Sequence, residues 1–380
     1  MRLYEYEGVE LFRRENISVP NYALADTTEE ALESAIEIGL PVVLKAQVLA
    51  GGRYLAGGVK TVNSLEDVEK EANRILASQI RGLPVNRIMV SDSVEVAREF
   101  YLGITVDDYR GYPLAILSAE GGVSINRIAQ EHSEAVVTRS ISISRGLELS
   151  QARRMCRDVG LSGKNLAEVS AVLTSLYGVF HNYDALVAEI NPLVRTRKGT
   201  YLALDSKVEI DDSSLYRHKD LNLSQEGRIN NPLERKGREI GVSYLELEGD
   251  IAIIASGAGL GMATMDIIGR KMSPANFLET GGAITADLLY KVMDLVIQKE
   301  GVRAIFINVY GGINPIDEGA KGVVRYIKEH DVKIPIVARA LGNRQEETWE
   351  IFRQQGVHVV SGISTEEGVE ELARLLGERS

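Results

Sequence analysis

The strongest constraint on this chain is the rhythm of its last third. Short apolar runs at Ile251–Ser256, Asn276–Glu279, Ala304–Tyr310, Ile334–Ala340 and His358–Ser361 alternate with helical stretches at 262–269, 285–299, 317–330, 344–355 and 365–378. Strands that are apolar at nearly every position are covered on both faces, and strands separated by helices run parallel. The pattern predicts a parallel, doubly wound α/β sheet. Ligands bind such sheets where the strands end, so Gly257–Gly261, Gly281–Ala283 and Gly311–Asp317 form the expected binding edge. Gly257-Ala-Gly-Leu-Gly261 followed by Glu279 approaches a dinucleotide fingerprint, but Met262 stands where the third glycine belongs. A phosphate on helix N-termini fits the same residues.

Upstream, Ala185–Asp212 is the most informative stretch. Two alternating apolar runs flank Arg197-Lys198-Gly199, which predicts a β-hairpin. Centred on Lys198, the hairpin sets Asn191 opposite Asp205 and Glu189 opposite Lys207. Residues two apart share a face, so these four side chains gather. A carboxylate and an amide are hard-oxygen ligands suited to Mg²⁺, which leaves positions for phosphate oxygens. An amphipathic hairpin with its polar face in water has the same pattern. A second feature is Leu49-Ala-Gly-Gly-Arg-Tyr-Leu-Ala-Gly-Gly58, between β-rich runs at 41–48 and 59–62. Its glycines admit phosphate oxygens close to backbone N–H groups, and Lys45 and Arg53 add positive charge. A hairpin tip without a ligand reads the same way, and the Gly-Lys-Ser/Thr of a Walker loop is absent.

Helices are predicted at 3–15, 27–38, 65–78, 149–158 and 165–181, and strands at 87–90, 99–106 and 114–122. Residues 21–95 then form a small lobe within a first domain of 1–230. The polar stretch 225–238 reads as a linker to a second domain at 240–380. A formal net charge of −11 argues against nucleic acid or an anionic membrane surface as partner. Cys156 is the only cysteine, which excludes an intrachain disulfide. No apolar signal core or long apolar run occurs, so the expectation is a soluble, cytoplasmic chain without a membrane segment.

Several motifs in order, Lys45-Ala-Gln-Val, Ala50-Gly-Gly-Arg, Glu120-Gly-Gly, Ala188-Glu-Ile-Asn-Pro-Leu, Leu204-Asp, Gly257-Ala-Gly-Leu, Thr264-Met-Asp and Ala275-Asn-Phe-Leu, resemble the β subunit of succinyl-CoA synthetase. The resemblance spans nearly the whole chain. It implies an ATP-grasp domain followed by a flavodoxin-like CoA-ligase domain, with ATP or GTP and Mg²⁺. It also implies an α subunit that binds CoA and carries a phosphorylated histidine, in an αβ or α2β2 assembly. Carried over, Lys45, Gly52, Arg53, Tyr54, Ser91 and Glu99 correspond to nucleotide contacts, and Asn191 and Asp205 to Mg²⁺ ligands. Glu189 corresponds to the acid that orients the partner's histidine. Ser256, Gly312, Ile313 and Asn314 correspond to substrate and phosphate contacts.

The departures fall in the binding loops. Tyr54-Leu55 replace Gly-Lys, Ser91 replaces a glutamate, Ser256 replaces an asparagine, Ala283 replaces a glycine, and Asn314-Pro-Ile replaces Val/Thr-Arg-Cys. Succinate is the expected acid, with malate, citrate or another small di- or tricarboxylate as the alternative, and a non-catalytic regulatory subunit as another. The chain's histidines are His132, His181, His218, His330 and His358, none in a glycine loop. The phosphorylated histidine is therefore expected on the partner.

Overall fold

The computed structural model describes every residue except 123–124, 126–129, 131–134, 224–227, 230 and 378–380. The chain divides into two compact units, Met1–Leu223 and Ser224–Ser380. His132 and parts of the expected linker lie outside the described residues.

The first unit holds two larger sheets. A four-stranded antiparallel sheet runs in the order Tyr22–Ala25, Ile88–Asp92, Val42–Ala46, Val59–Val62. It is backed by the helices Thr28–Ile38 and Leu65–Leu76, whose starts are capped by Thr27 and Ser64. The strand Tyr22–Ala25 is not marked in the sequence, because four residues carry too little alternation to register. The larger sheet centres on Val96–Asp107 paired with Ala185–Thr196, and packs against Gly163–Asn182. Its core joins Phe100, Leu102 and Ile104 to Leu173, Leu176 and the N-terminal helix residues Leu11 and Phe12.

The second unit is a six-stranded sheet in the order Ser243–Glu246, Asn276–Glu279, Ile251–Ala255, Ala304–Gly311, Ile336–Gly342, His358–Val359. The five expected strands are parallel and follow the 2-1-3-4-5 order of flavodoxin-like folds. The sixth, Ser243–Glu246, adds an antiparallel edge. The stretch read as a linker overlaps the helix Pro232–Ile240, which belongs to the second unit. Asn231 caps it by accepting from Leu233 N and Glu234 N, and Pro232 has no N–H to leave unpaired at the first position. The helix after Ile251–Ala255 begins at Ala258, so most of the glycine run expected as a loop is helical. Gly261 serves packing there: a Cβ would lie 2.9 Å from Phe277.

Gly342 ends its strand at φ +120°, and a Cβ would fall 2.1 Å from the carbonyl oxygen of Gly311. Gly39 has φ +92° with nothing within 4 Å. Gly342→Ala should therefore destabilise the fold by about 2 kcal/mol or more, and Gly39→Ala by about 1 kcal/mol. Urea unfolding followed by circular dichroism checks the ranking; equal shifts would contradict the close approach at Gly342.

Candidate nucleotide and acid sites

The hairpin register is the expected one. Glu189 pairs with Lys207 and Leu193 with Ala203, so Asn191 falls opposite Asp205. The return strand is not continuous, however: it breaks between Tyr201–Ala203 and Lys207–Ile210. The break lies opposite Pro192, which accepts from Leu204 N at 3.0 Å but has no N–H to return. On the other side of the same strand the register to Val96–Asp107 shifts by one residue between Ile190 and Leu193. A bulge of this kind re-aims side chains. Asn191 and Asp205 thus sit where ladder pairing lapses on both sides. The Asn191 amide oxygen is oriented by the backbone N–H of Gly122 at 2.9 Å.

Four charges meet at this point. Arg53, buried in the glycine loop, spans Glu5 at 2.6 Å and Asp205 at 2.8 Å. Lys45 bonds Glu5 at 2.8 Å and also donates to the Leu204 carbonyl. Gln47 donates to Glu5 at 3.3 Å. Burial by itself would raise the Glu5 carboxyl, but the fields and hydrogen bonds of Lys45 and Arg53 outweigh it and lower it from 4.5 to about 2. Glu5 is absent from the residues singled out in the sequence. The available signal was its position: Glu5 shares the buried helix face with Val9 and Phe12 at i+4 and i+7. An acid on an apolar face needs cationic partners.

Glu189 is held from two sides. Lys207 Nζ lies 3.2 Å from its Oε2, and the Tyr101 hydroxyl donates to it. Burial first, and then the Glu189 charge, push the Tyr101 hydroxyl above its ordinary range. Gly103 makes the contact possible, because a Cβ there would lie 2.9 Å from the Tyr101 hydroxyl. Tyr101 is a second residue that sequence reading misses; a glycine two positions after a strand aromatic is its only trace.

Other carried-over residues are more scattered. Gly52 takes φ +72° beside Arg53. Tyr54 is 76% exposed at the tip of the glycine loop. Ser91 is buried in the strand that pairs with both Tyr22 and Val43. Glu99 lies on the central strand opposite Val194, close against Gly122.

In the second unit, the loops at the strand ends are stitched together. Ser256 Oγ accepts from Tyr310 N at 2.8 Å and contacts its carbonyl oxygen at 3.2 Å, so its hydroxyl is engaged by backbone. Asn314 donates to the Gly282 carbonyl. Asn343 donates from its backbone to Gly311 O at 2.7 Å and from its side chain to Ile313 O at 2.9 Å. Gly312 and the 89% exposed Ile313 lie between these anchors.

Among the described residues no three His, Cys, Asp or Glu side chains gather as a metal site. One carboxylate and one amide suit Mg²⁺ that shares its shell with phosphates. The Asp205 side chain is 45% exposed, and Arg53 holds only one of its oxygens. The donor set therefore fits the ion.

The fold and these residues define a nucleotide-binding ATP-grasp unit followed by a CoA-ligase unit. The family models agree: the ATP-grasp domain matches residues 2–195 and the CoA-ligase model residues 254–374. The chain is 39% identical to the succinate–CoA ligase (GDP-forming) β subunit of Thermus thermophilus over 360 residues, covering 94% of this chain and 95% of that one. It is 36% identical to the ADP-forming β subunit of Persephonella marina over 386 residues, covering 99% of each. The chain belongs to the succinate–CoA ligase β-subunit family. The ATP citrate lyase structure from Methanothrix soehngenii, in complex with citrate and coenzyme A, shares the fold with TM-score 0.78 and 20% identity over 99% of each chain.

The Glu5 cluster carries a pH prediction. A carboxyl lowered from 4.5 to about 2 on folding stabilises the fold fully above pH 4.5 and loses that contribution as pH falls through about 2. Glu5→Gln should cost about 3 kcal/mol at neutral pH. The difference between wild type and variant in unfolding midpoint should stay constant above pH 5 and narrow below 4.5. A difference unaffected by acid would show that the Glu5 charge is not what holds Arg53 and Lys45.

Proposed function

We propose that this chain is the β subunit of an NDP-forming acid–CoA ligase, with the reaction succinate + CoA + ATP = succinyl-CoA + ADP + phosphate and GTP as the alternative nucleotide. An α subunit binds CoA and carries the histidine that is phosphorylated in turn. The observation that carries this reading is the contact of Arg53 with Asp205 and of Lys45 with the Leu204 carbonyl, which joins the cations of the smaller sheet and its glycine loop to the hairpin that bears Glu189 and Asn191, within one unit.

In this reading Lys45 and Arg53 hold the phosphates and Glu99 contacts the nucleotide. Asn191 and Asp205 hold Mg²⁺, which when bound neutralises charge on the β and γ phosphates. Glu189, fixed by Tyr101 and Lys207, accepts the N–H of the incoming histidine and sets its other nitrogen toward phosphorus. The phosphoryl group passes to that nitrogen and NDP leaves. The acid carboxylate then takes the phosphoryl group from histidine. The CoA thiolate attacks the acyl carbon, forming the thioester and releasing phosphate. This chain contributes position and field rather than a covalent intermediate.

The chain's own histidines fit that division. His218 bonds Asp184 at 2.7 Å, His330 stacks on Tyr326, His358 pairs with Glu371 at 3.3 Å, and His181 stacks on Tyr177. Each of these described histidines has a local structural partner.

Two experiments test the proposal. Asp205→Ala should abolish Mg²⁺-dependent ADP binding in calorimetry with the circular dichroism spectrum retained; unchanged affinity would remove Asp205 and Asn191 from the metal site. The purified chain alone should bind Mg²⁺·nucleotide without acid-stimulated NDP release or an acid-labile phosphoenzyme, and the α subunit should restore both. Labelling of one of this chain's own histidines by γ-³²P-ATP would overturn the two-subunit mechanism.

A further inference from the structure

The second unit presents five loops at the C-terminal ends of its parallel strands: 256–257, 280–285, 312–316, 343–344 and 360–364. Phosphate and a carboxylic acid are both anions, yet these loops are almost devoid of positive charge. Across all five, Arg344 is the one Lys or Arg. Arg339, within its strand, is buried and committed to Asn308 at 2.8 Å and to the Ile363 carbonyl. Lys321, one turn into the next helix, is shared by Asp317 and Glu318.

Arg344 is built into position. Its backbone is left-handed, φ +61°, a conformation that costs a non-glycine residue free energy and is kept where geometry matters. Asn343, its neighbour, ties this turn to Gly311 and Ile313. The Arg344 guanidinium bonds Asp317 Oδ2 at 3.1 Å. Asp317 is 4% exposed and starts the helix after the Gly312–Ile316 loop. The Arg344 side chain itself remains 51% exposed, and its other near carboxylate, Glu347, stands 3.8 Å away. A guanidinium clamped at one end by a buried acid and open at the other presents a planar pair of donors to a carboxylate.

We propose that Arg344 is the specificity-determining residue for the acid: it binds the non-reacting carboxylate of a dicarboxylic or tricarboxylic substrate while the reacting carboxylate lies by the Gly312–Asn314 loop. This deepens the proposed ligase function and rests on it. The consequence is selectivity. A monocarboxylate of similar length has nothing to offer Arg344 and gains nothing from it.

The test uses the complex of this chain with its α subunit. Turnover is measured with succinate, malate and citrate, and with butyrate as the monocarboxylate. Exchange of label between ADP and ATP, which needs no acid, is read in the same samples. Arg344→Ala should raise KM for the preferred di- or tricarboxylate by at least about tenfold, the scale of a hydrogen bond to a charged group. The KM for butyrate should not change. Arg344→Lys should recover part of the loss, and serves as the test variant if the alanine variant fails to fold. A preference for butyrate in the wild type, exchange without use of any di- or tricarboxylate, or equal effects on butyrate and the preferred acid would each overturn the inference. A wild-type complex with no label exchange would instead overturn the ligase reading, and this inference with it.

Discussion

The guanidinium of Arg53 spans two carboxylates far apart in sequence, Glu5 and Asp205. The placing of the glycine loop against the hairpin depends on that bridge. Glu5 belongs to the N-terminal helix, Arg53 to the glycine loop of the smaller sheet, and Asp205 to the gap in the hairpin. A buried acid without a cation would be expensive to desolvate, and a buried arginine equally so. Each therefore fixes the others. The interaction brings the expected phosphate-binding loop to the expected metal ligands, and the same residues that stabilise the unit make up its candidate chemistry.

The hairpin achieves its polar cluster by failing to be a perfect ladder. Pro192 offers no N–H, so pairing lapses toward Leu204-Asp205-Ser206, while a one-residue bulge appears toward Val96–Asp107. Regular pairing before and after keeps the register, and the irregular step frees Asn191 and Asp205 from it. Nearby, Gly103 clears the surface over which Tyr101 reaches Glu189. Rigid strands on either side make these side chains well-placed rather than mobile.

In the second unit the strand-end loops are held by side-chain to backbone bonds, Ser256 to Tyr310, Asn314 to Gly282 and Asn343 to Ile313, and by the backbone bond of Asn343 to Gly311. Such bonds satisfy turn backbone that has no ladder to join. They also give the small polar residues of these loops a structural role.

The sequence by itself determined the alternation of strands and helices in the second unit, the hairpin and its register, and with it the pairing of Glu189 with Lys207 and the placing of Asn191 opposite Asp205. These are local properties, set by periodicity of two and near three and a half and by glycine in a turn. It did not reveal that Ser243–Glu246 adds an antiparallel edge, that Pro232–Ile240 is helical, or that Ala258 already begins a helix. A four-residue strand and a helix opened by glycines carry weak local signals, and packing decides them; Asn231-Pro232 does mark a helix start, but within a polar stretch that reads as a linker. Nor did it reveal Glu5, Tyr101 or the setting of Arg344. Glu5 looks like one of many surface acids until Lys45 and Arg53 are folded over it, and Arg344 like one of many surface cations until Asp317 is buried beneath it. Only tertiary structure removes water from one partner of each pair, and the cost of that removal is what gives the pairing its meaning.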